Sequence, residues 1–326
     1  MSKPYNTKAK LLYLAKILLE ETDEEHPLST TQLINRLNSC GISVERKALY
    51  DDLETLENFG MDIGKIKSRS NLYFVGERTL ELPELKLLVD SVQASKFITE
   101  KKSAELIGKL EKMTSNHNAK ALSRQDFVSG RVKTPNEQIY YNIDAIHSAI
   151  GENRKISFKY FEWTIDKKQE FRRNGEKYIQ SPLGLSLVDN NYYLITYSDK
   201  YDKILHFRVD KMTGISVLSE KAKLPHEKFD ISEYTNRTFN MFGGVDEKIE
   251  LLVHNSLIGV IIDRFGKNIS MIKADEDHFI AVISIAASPT FFGWLLSFGD
   301  RMKVLSPKRV VDDIKNLTEK ISELYK

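Results

Sequence analysis

Residues 29–60 read STTQLINRLNSCGISVERKALYDDLETLENFG, and this stretch decides how the start of the chain folds. Ser29 or Thr30 can cap a helix that ends near Gly41. The apolar residues of this helix repeat at helical spacing and are Leu33, Ile34 and Leu37. A short turn that contains glycine follows.

The turn leads into another helix, which opens at Val44 with Ser43 as its cap. Leucines at spacings of four and three form its apolar face, and they are Leu49, Leu53 and Leu56. Two helices joined in this way form the helix-turn-helix pattern, whose second helix lies in the DNA major groove. We therefore predict DNA contacts from the polar side of this helix, namely Ser43, Arg46, Lys47 and Tyr50.

The next run, from Ile63 to Val75, predicts a β-hairpin. Side chains alternate along a strand, so Lys65, Lys67 and Arg69 are expected to point the same way. Three aligned cations suit a wing that lies on the phosphate backbone. Without this hairpin, the helix before it would read as an ordinary surface helix with a solvated face.

Residues 1–79 resemble the winged helix-turn-helix of DeoR-like regulators. The residues that carry the resemblance are Ser43, Arg46, Asp51, Asp52, Leu53, Leu56 and Gly60. This segment holds eleven Lys plus Arg against twelve Asp plus Glu, so it is not basic overall. We therefore expect weak non-specific affinity for DNA and a need for dimerisation.

Residues 80–135 are predicted to be a helical connector. Two amphipathic helices are expected at residues 83–99 and 103–113, and residues 116–135 as a loop or a short irregular connection. Such helices can make dimer contacts or pack within their own domain, and the sequence leaves both roles open.

A helix at residues 138–150 precedes a set of short strands separated by turns. The strands are expected at residues 155–161, 178–180, 183–187, 192–197, 204–209 and 215–218. Short strands at this spacing are typical of a small β-barrel.

Two blocks in this region, NYYLITY at residues 191–197 and HFRVDKM at residues 206–212, resemble the WYL domain. Tyr192 stands in place of the tryptophan that gives the domain its name, and Leu205 stands where many members have arginine. The resemblance implies an Sm-like or SH3-like barrel that binds a nucleotide or a nucleic-acid fragment. The ligand residues that it implies are Tyr160, Tyr193, His206 and Arg208.

These residue types suit such a ligand, because aromatic rings stack on bases and a guanidinium pairs with phosphate. A structural role is the alternative. Tyr193 and Phe207 would then belong to the core, and Arg208 would pair with Asp210 or another neighbour.

From residue 248 onward the pattern predicts the order strand, helix, strand, strand, helix, strand, helix, which fits a ferredoxin-like α+β layer. The block FGWLLSFG at residues 292–299 resembles the WCX extension that accompanies WYL domains. Trp294 and Phe298 are expected to anchor the core of this layer.

The sequence thus predicts an α+β multidomain protein. Its parts are a winged helix-turn-helix (1–79), a helical connector (80–135), a WYL barrel (136–226) and a WCX ferredoxin-like domain (227–326). The expected function is sequence-specific transcription regulation, with double-stranded DNA as partner and an effector on the WYL domain, in a homodimer. The alternative is a module that binds single-stranded nucleic acid or a protein, without recognition of a duplex operator.

The amino-acid composition restricts the other classes of protein to which this sequence could belong. The net charge is only +2, so binding to a polyanion must come from local patches. Cys40 is the single cysteine, and with no signal-peptide or membrane-spanning run it favours a cytoplasmic protein without membrane contact. The seven histidines are scattered and no phosphate-binding Gly-rich loop is present. We therefore expect no enzymatic activity, no metal and no cofactor.

Overall fold

The computed structural model describes residues 7–67, 70–123, 133–225, 229–231, 234, 235, 238, 241 and 245–326. The chain divides into two compact units, Met1–Glu137 and Gln138–Lys326, and each is described by itself. Within the described residues, no helix has both the length and the apolar character needed to cross a membrane.

The N-terminal unit begins with three helices and a small antiparallel sheet. The helices are α1 (Thr7–Glu21), α2 (Thr30–Ser39) and α3 (Arg46–Phe59), and the strands are β1 (Leu28–Ser29), β2 (Ile63–Lys67) and β3 (Asn71–Val75). The sheet order is β1-β3-β2. The two helical leucine patterns of α2 and α3 meet in one buried core, so the periodicity gave the correct inner faces.

The N-termini of α2 and α3 are closed differently. Ser29 caps α2 through a reciprocal pair of hydrogen bonds with Gln32, at 2.8 and 3.3 Å. For α3 the predicted start was wrong: the helix begins at Arg46 after Glu45, and Ser43 is an exposed residue outside it. Val44 packs against the core before the helix begins, and Glu45 still has extended backbone angles.

Three further helices complete this unit, and they are α4 (Leu82–Ala94), α5 (Glu100–Glu111) and α6 (Asn116–Ser123). The expected loop is therefore helical over residues 116–123, while residues 124–132 lie outside the described residues. Ser115 caps the N-terminus of α6, since its Oγ accepts from the Asn118 amide at 3.1 Å and its carbonyl from the Ala119 amide at 2.8 Å.

Asp23, buried after the end of α1, holds the following turn and the start of α6. Its carboxylate accepts hydrogen bonds from the His26 amide at 2.9 Å, from the His26 ring at 2.7 Å and from the Ser115 hydroxyl. The His26 ring stacks on His117 of α6 with centroids 3.8 Å apart. Burial opposes ionisation, but the bonds from Ser115 and His26 hold the pKa of Asp23 below its usual range.

We predict that Asp23→Asn lowers the free energy of unfolding by about 1–3 kcal/mol at neutral pH, because the amide keeps one acceptor oxygen while donors bond to both oxygens of the carboxylate. A carboxyl with a depressed folded pKa stabilises the fold above its unfolded pKa of about 3.9 and loses this effect as the pH falls. The difference between wild type and variant should therefore shrink below about pH 4. Urea unfolding at several pH values measures it, with exposed Glu24→Gln as control, and a difference independent of pH contradicts the prediction.

The C-terminal unit opens with α7 (Ile139–Gly151) and an antiparallel sheet. Its strands are β4 (Arg154–Trp163), β5 (Gln169–Phe171), β6 (Tyr178–Val188), β7 (Asn191–Ser198), β8 (Lys203–Arg208) and β9 (Met212–Lys221). The order is β5-β4-β6-β7-β8, and β9 also pairs with β4. Two predicted strands join in β6 across a bulge between Pro182 and Gly184, and β5 was not predicted.

A cluster of aromatic rings fills the inner side of this sheet. Phe207 lies edge-on to three of its neighbours, with ring centroids 5.0–5.3 Å apart, and these are Phe158, Tyr160 and Tyr178. Phe207 is therefore a core residue, which confirms the structural role that the sequence analysis gave as the alternative.

The last layer contains β10 (Val245–His254), α8 (Ile258–Phe265), β11 (Ser270–Lys273), β12 (His278–Ala287), α9 (Pro289–Leu296), β13 (Met302–Ser306) and α10 (Lys308–Leu324). The element order agrees with the predicted one. The sheet order is β11-β12-β10-β13, with all neighbours antiparallel. Trp294 packs against the core of this layer, with Phe298 at 5.1 Å and Phe265 at 5.7 Å between ring centroids.

Candidate nucleic-acid interface

The exposed side of α3 carries the cations expected there. Arg46 is the first residue of the helix, and its Nε donates a hydrogen bond to the Tyr50 phenol oxygen at 2.9 Å, one turn further on. Lys47 is exposed beside it. Ser43 is also exposed, although it precedes the helix.

The hairpin brings further cations to α3. Lys65 and Lys67 are exposed on the same side of β2, and the Lys65 Nζ lies 5.7 Å from the centroid of the Tyr73 ring. Arg69 lies outside the described residues. The Thr30 hydroxyl and the Arg46 guanidinium lower the pKa of Tyr50, and the nearby charge of Lys65 adds to this effect. Lys65 therefore lies within electrostatic range of Tyr50.

The two adjacent aspartates of α3 have different environments. Asp52 is buried and forms an ion pair with Lys10 of α1 at 2.6 Å, whereas Asp51 is exposed. Asp52 therefore joins two helices and is removed from the surface that carries Arg46 and Lys47.

The four ligand residues implied for the WYL region do not share one face. Tyr193 pairs with Arg208 across β7 and β8, on the side opposite Phe207. Tyr160 lies instead in the aromatic cluster, where burial raises the pKa of its phenol. It still reaches β8, because its oxygen accepts a hydrogen bond from the Arg208 amide at 3.3 Å.

Arg208 is held by its neighbours. Asp210 accepts from Nε at 3.1 Å and from Nη2 at 2.9 Å, and the Asn191 side-chain oxygen accepts from Nη2 at 2.8 Å. Its side chain keeps 35% of its surface exposed. Both roles left open by the sequence therefore remain compatible, since a guanidinium fixed by a carboxylate can also present its free edge to an anion.

His206 lies two residues before Arg208 but is covered. Its ring packs 5.3 Å from the Tyr234 ring and forms a hydrogen bond with the Met241 backbone. Burial lowers the pKa of His206, which favours the neutral ring. The structure thus separates His206 from the more open position of Arg208.

Sequence reasoning missed one cationic segment, residues 172–175, which we call the arginine turn. Arg173, Asn174 and Gly175 all have left-handed backbone angles, with φ of 52°, 53° and 82°. The Arg173 guanidinium lies 4.2 Å from the Tyr178 ring centroid, and its Nη2 donates to the Tyr201 hydroxyl at 3.2 Å. Two stretches combine aromatic and basic residues, FRR at 171–173 and KYDK at 200–203. This composition is the signal that could have indicated the segment.

Arg172 of the arginine turn forms an ion pair with Glu162, whereas the other cations around the turn are less compensated. Lys200 and Lys203 lie 5.4 and 5.6 Å from the centroid of the exposed Tyr201 ring. Among the residues that the structure describes, neither these lysines nor Arg173 form an ion pair. The two aspartates next to these lysines in sequence have other partners. Asp199 forms an ion pair with Lys155 at 2.9 Å, and Asp202 accepts a hydrogen bond from the Tyr197 hydroxyl at 2.6 Å.

Fold and surfaces together define an α+β multidomain protein, and the described residues of each unit include exposed cations. Comparison with protein families matches residues 141–217 to the WYL domain and residues 246–322 to the WCX domain. The C-terminal unit therefore contains a WYL domain followed by a WCX domain. The resemblance found in the sequence is confirmed for both domains.

Two solved structures are similar over much of the chain. Proteasome accessory factor B/C (PafBC) of Arthrobacter aurescens is 16% identical over 96% of this chain, with a TM-score of 0.30. The chain spans 48% of the PafBC chain. A CRISPR Cas-related protein is 14% identical over 74% of this chain and 71% of its own, with a TM-score of 0.37. A comparison with curated proteins gives no match.

We predict that the Arg208 Nε proton exchanges slowly with water, because Asp210 accepts it in a partly buried site. An Nε–H signal of Arg208 should be visible by NMR at neutral pH and disappear in Asp210→Ala. The nearby Asp189→Ala variant should retain the signal. An unchanged signal in Asp210→Ala contradicts the observed pairing.

Proposed function

We propose that this protein is a sequence-specific DNA-binding transcription regulator whose WYL domain binds a nucleotide or a nucleic-acid fragment. In this proposal residues 1–79 are a winged helix-turn-helix, with α3 as the reading helix and the β2–β3 hairpin as the wing. The WYL and WCX domains form the sensory half, and the protein acts as a cytoplasmic homodimer without enzymatic activity.

The observation that carries the proposal is the charged surface of the N-terminal unit. Arg46 and Lys47 at the start of α3 and Lys65 and Lys67 on the hairpin are all exposed. A helix N-terminus that carries cations can reach base edges, and aligned lysines on a strand can contact phosphates. A module that contacts only proteins does not require this arrangement.

Residues in the WYL domain support an anionic effector. Arg208 keeps an exposed edge beside Tyr193, and the arginine turn adds cations that lie over tyrosine rings. Cations next to aromatic faces are the chemistry that holds a phosphate and its base. The effector would alter operator affinity through the helices α4 to α6, by changing the spacing of two reading helices in the dimer.

The same basic and aromatic surface favours a second candidate function. A protein that binds single-stranded nucleic acid with its WYL domain, and does not recognise a duplex operator, would also need Arg173, Lys200 and Lys203. The two candidates differ in the role of α3 and its hairpin.

Duplex binding separates the two candidates. The full-length protein is mixed with fragments of the region upstream of its own gene and with random duplex of equal length, at two salt concentrations. We expect a large affinity ratio for one upstream fragment. Lys65→Ala with Lys67→Ala should weaken binding to both duplexes and reduce the salt slope by about 0.9 for each lost phosphate contact. Absence of duplex binding at either salt concentration supports the second candidate.

Effector binding is tested with a labelled single-stranded oligonucleotide and fluorescence anisotropy. Because Arg173 is exposed and makes no ion pair in the described part of the chain, Arg173→Ala should weaken binding by about tenfold without unfolding the domain. Lys315→Ala, on the exposed side of α10, is the matched control for loss of one charge. Equal affinities of the two variants would contradict an effector role of the arginine turn.

A further inference from the structure

The hydrogen bond between Arg46 and Tyr50 distinguishes Arg46 from an ordinary exposed cation on a helix. Arg46 uses Nε for its bond to the Tyr50 oxygen, and no other bond of its side chain is formed with the described residues. Arg46 is exposed at the first turn of α3, so its two terminal nitrogens remain available as a planar fork for another acceptor.

From this geometry we infer that Arg46 recognises a guanine in the operator and that Tyr50 is the residue that positions it. The inference rests on the proposed function and names one base that the reading helix selects. A guanine offers two acceptors in the major groove, O6 and N7, and the terminal fork of arginine matches both at once.

Tyr50 is suited to hold the arginine because it is itself fixed. Its ring packs against the core shared by α1, α2 and α3. An arginine held in this way has already lost part of its rotamer freedom, so less entropy is lost when it binds a base.

Arg46 is also free of competing acids. Glu45, Asp51 and Glu54 are exposed nearby in sequence, yet none of them forms an ion pair with Arg46 in the described structure. Lys47 differs from Arg46, because a lysine ammonium has no planar fork and recognises a phosphate as a point charge. The two adjacent cations should therefore have different effects on sequence preference.

The test is enrichment of bound sequences from a randomised duplex pool by the full-length protein. Wild type should enrich a site with a fixed guanine in each half. Arg46→Lys should reduce the preference for that guanine by about five- to 150-fold and leave the other positions unchanged. Tyr50→Phe keeps the ring but removes the acceptor, and should reduce the same preference by a smaller factor at unchanged thermal stability.

Lys47→Ala serves as the matched control, with weaker binding to all sequences and an unchanged preferred site. A guanine preference that survives in Arg46→Lys overturns the inference while leaving the proposed function intact. A full preference in Tyr50→Phe, together with its loss in Arg46→Lys, overturns the positioning role of Tyr50. Failure of the wild type to enrich any duplex overturns the proposed function itself.

Discussion

Burial of the Phe207 ring in the aromatic cluster determines how the WYL domain presents its polar groups. Successive side chains of a strand point to opposite faces, so an inward Phe207 places both His206 and Arg208 on the other side of β8. The pairing of β8 with β7 then sets Tyr193 beside Arg208. Tyr160 remains with the inner rings and contributes to this face only through its bond to the Arg208 backbone.

The N-terminal unit uses a comparable arrangement, in which a buried pair supports an exposed surface. Asp52 and Lys10 join α3 to α1 on the inner side, and the leucines of α3 complete the core. The exposed side of the helix is left to Arg46 and Lys47, and the half-buried Tyr50 lies between this side and the core. In both units the functional proposal therefore depends on side chains whose direction is fixed by buried neighbours.

Much of this organisation could be predicted from periodicity and from two short motifs. The inner faces of α2 and α3, the strands β4 and β7 and the element order after residue 245 followed from the sequence, because apolar spacing records which side is buried. The start of α3 did not, since it depends on Val44 reaching a core formed by distant residues. The covering of His206 by Tyr234 and Met241 has the same cause, as these residues are far apart in sequence.

The left-handed backbone of the arginine turn has a consequence for which residues evolution would retain at these positions. Arg173 has a left-handed conformation that costs an ordinary residue roughly 1–2 kcal/mol, and Asn174, which has the same conformation, tolerates it better. Glycine at positions 173 and 174 would relieve this strain and would also remove the guanidinium over Tyr178. Evolution for thermal tolerance alone would thus favour loss of the turn's charge, so its retention among homologues would be a mark of use and not of folding.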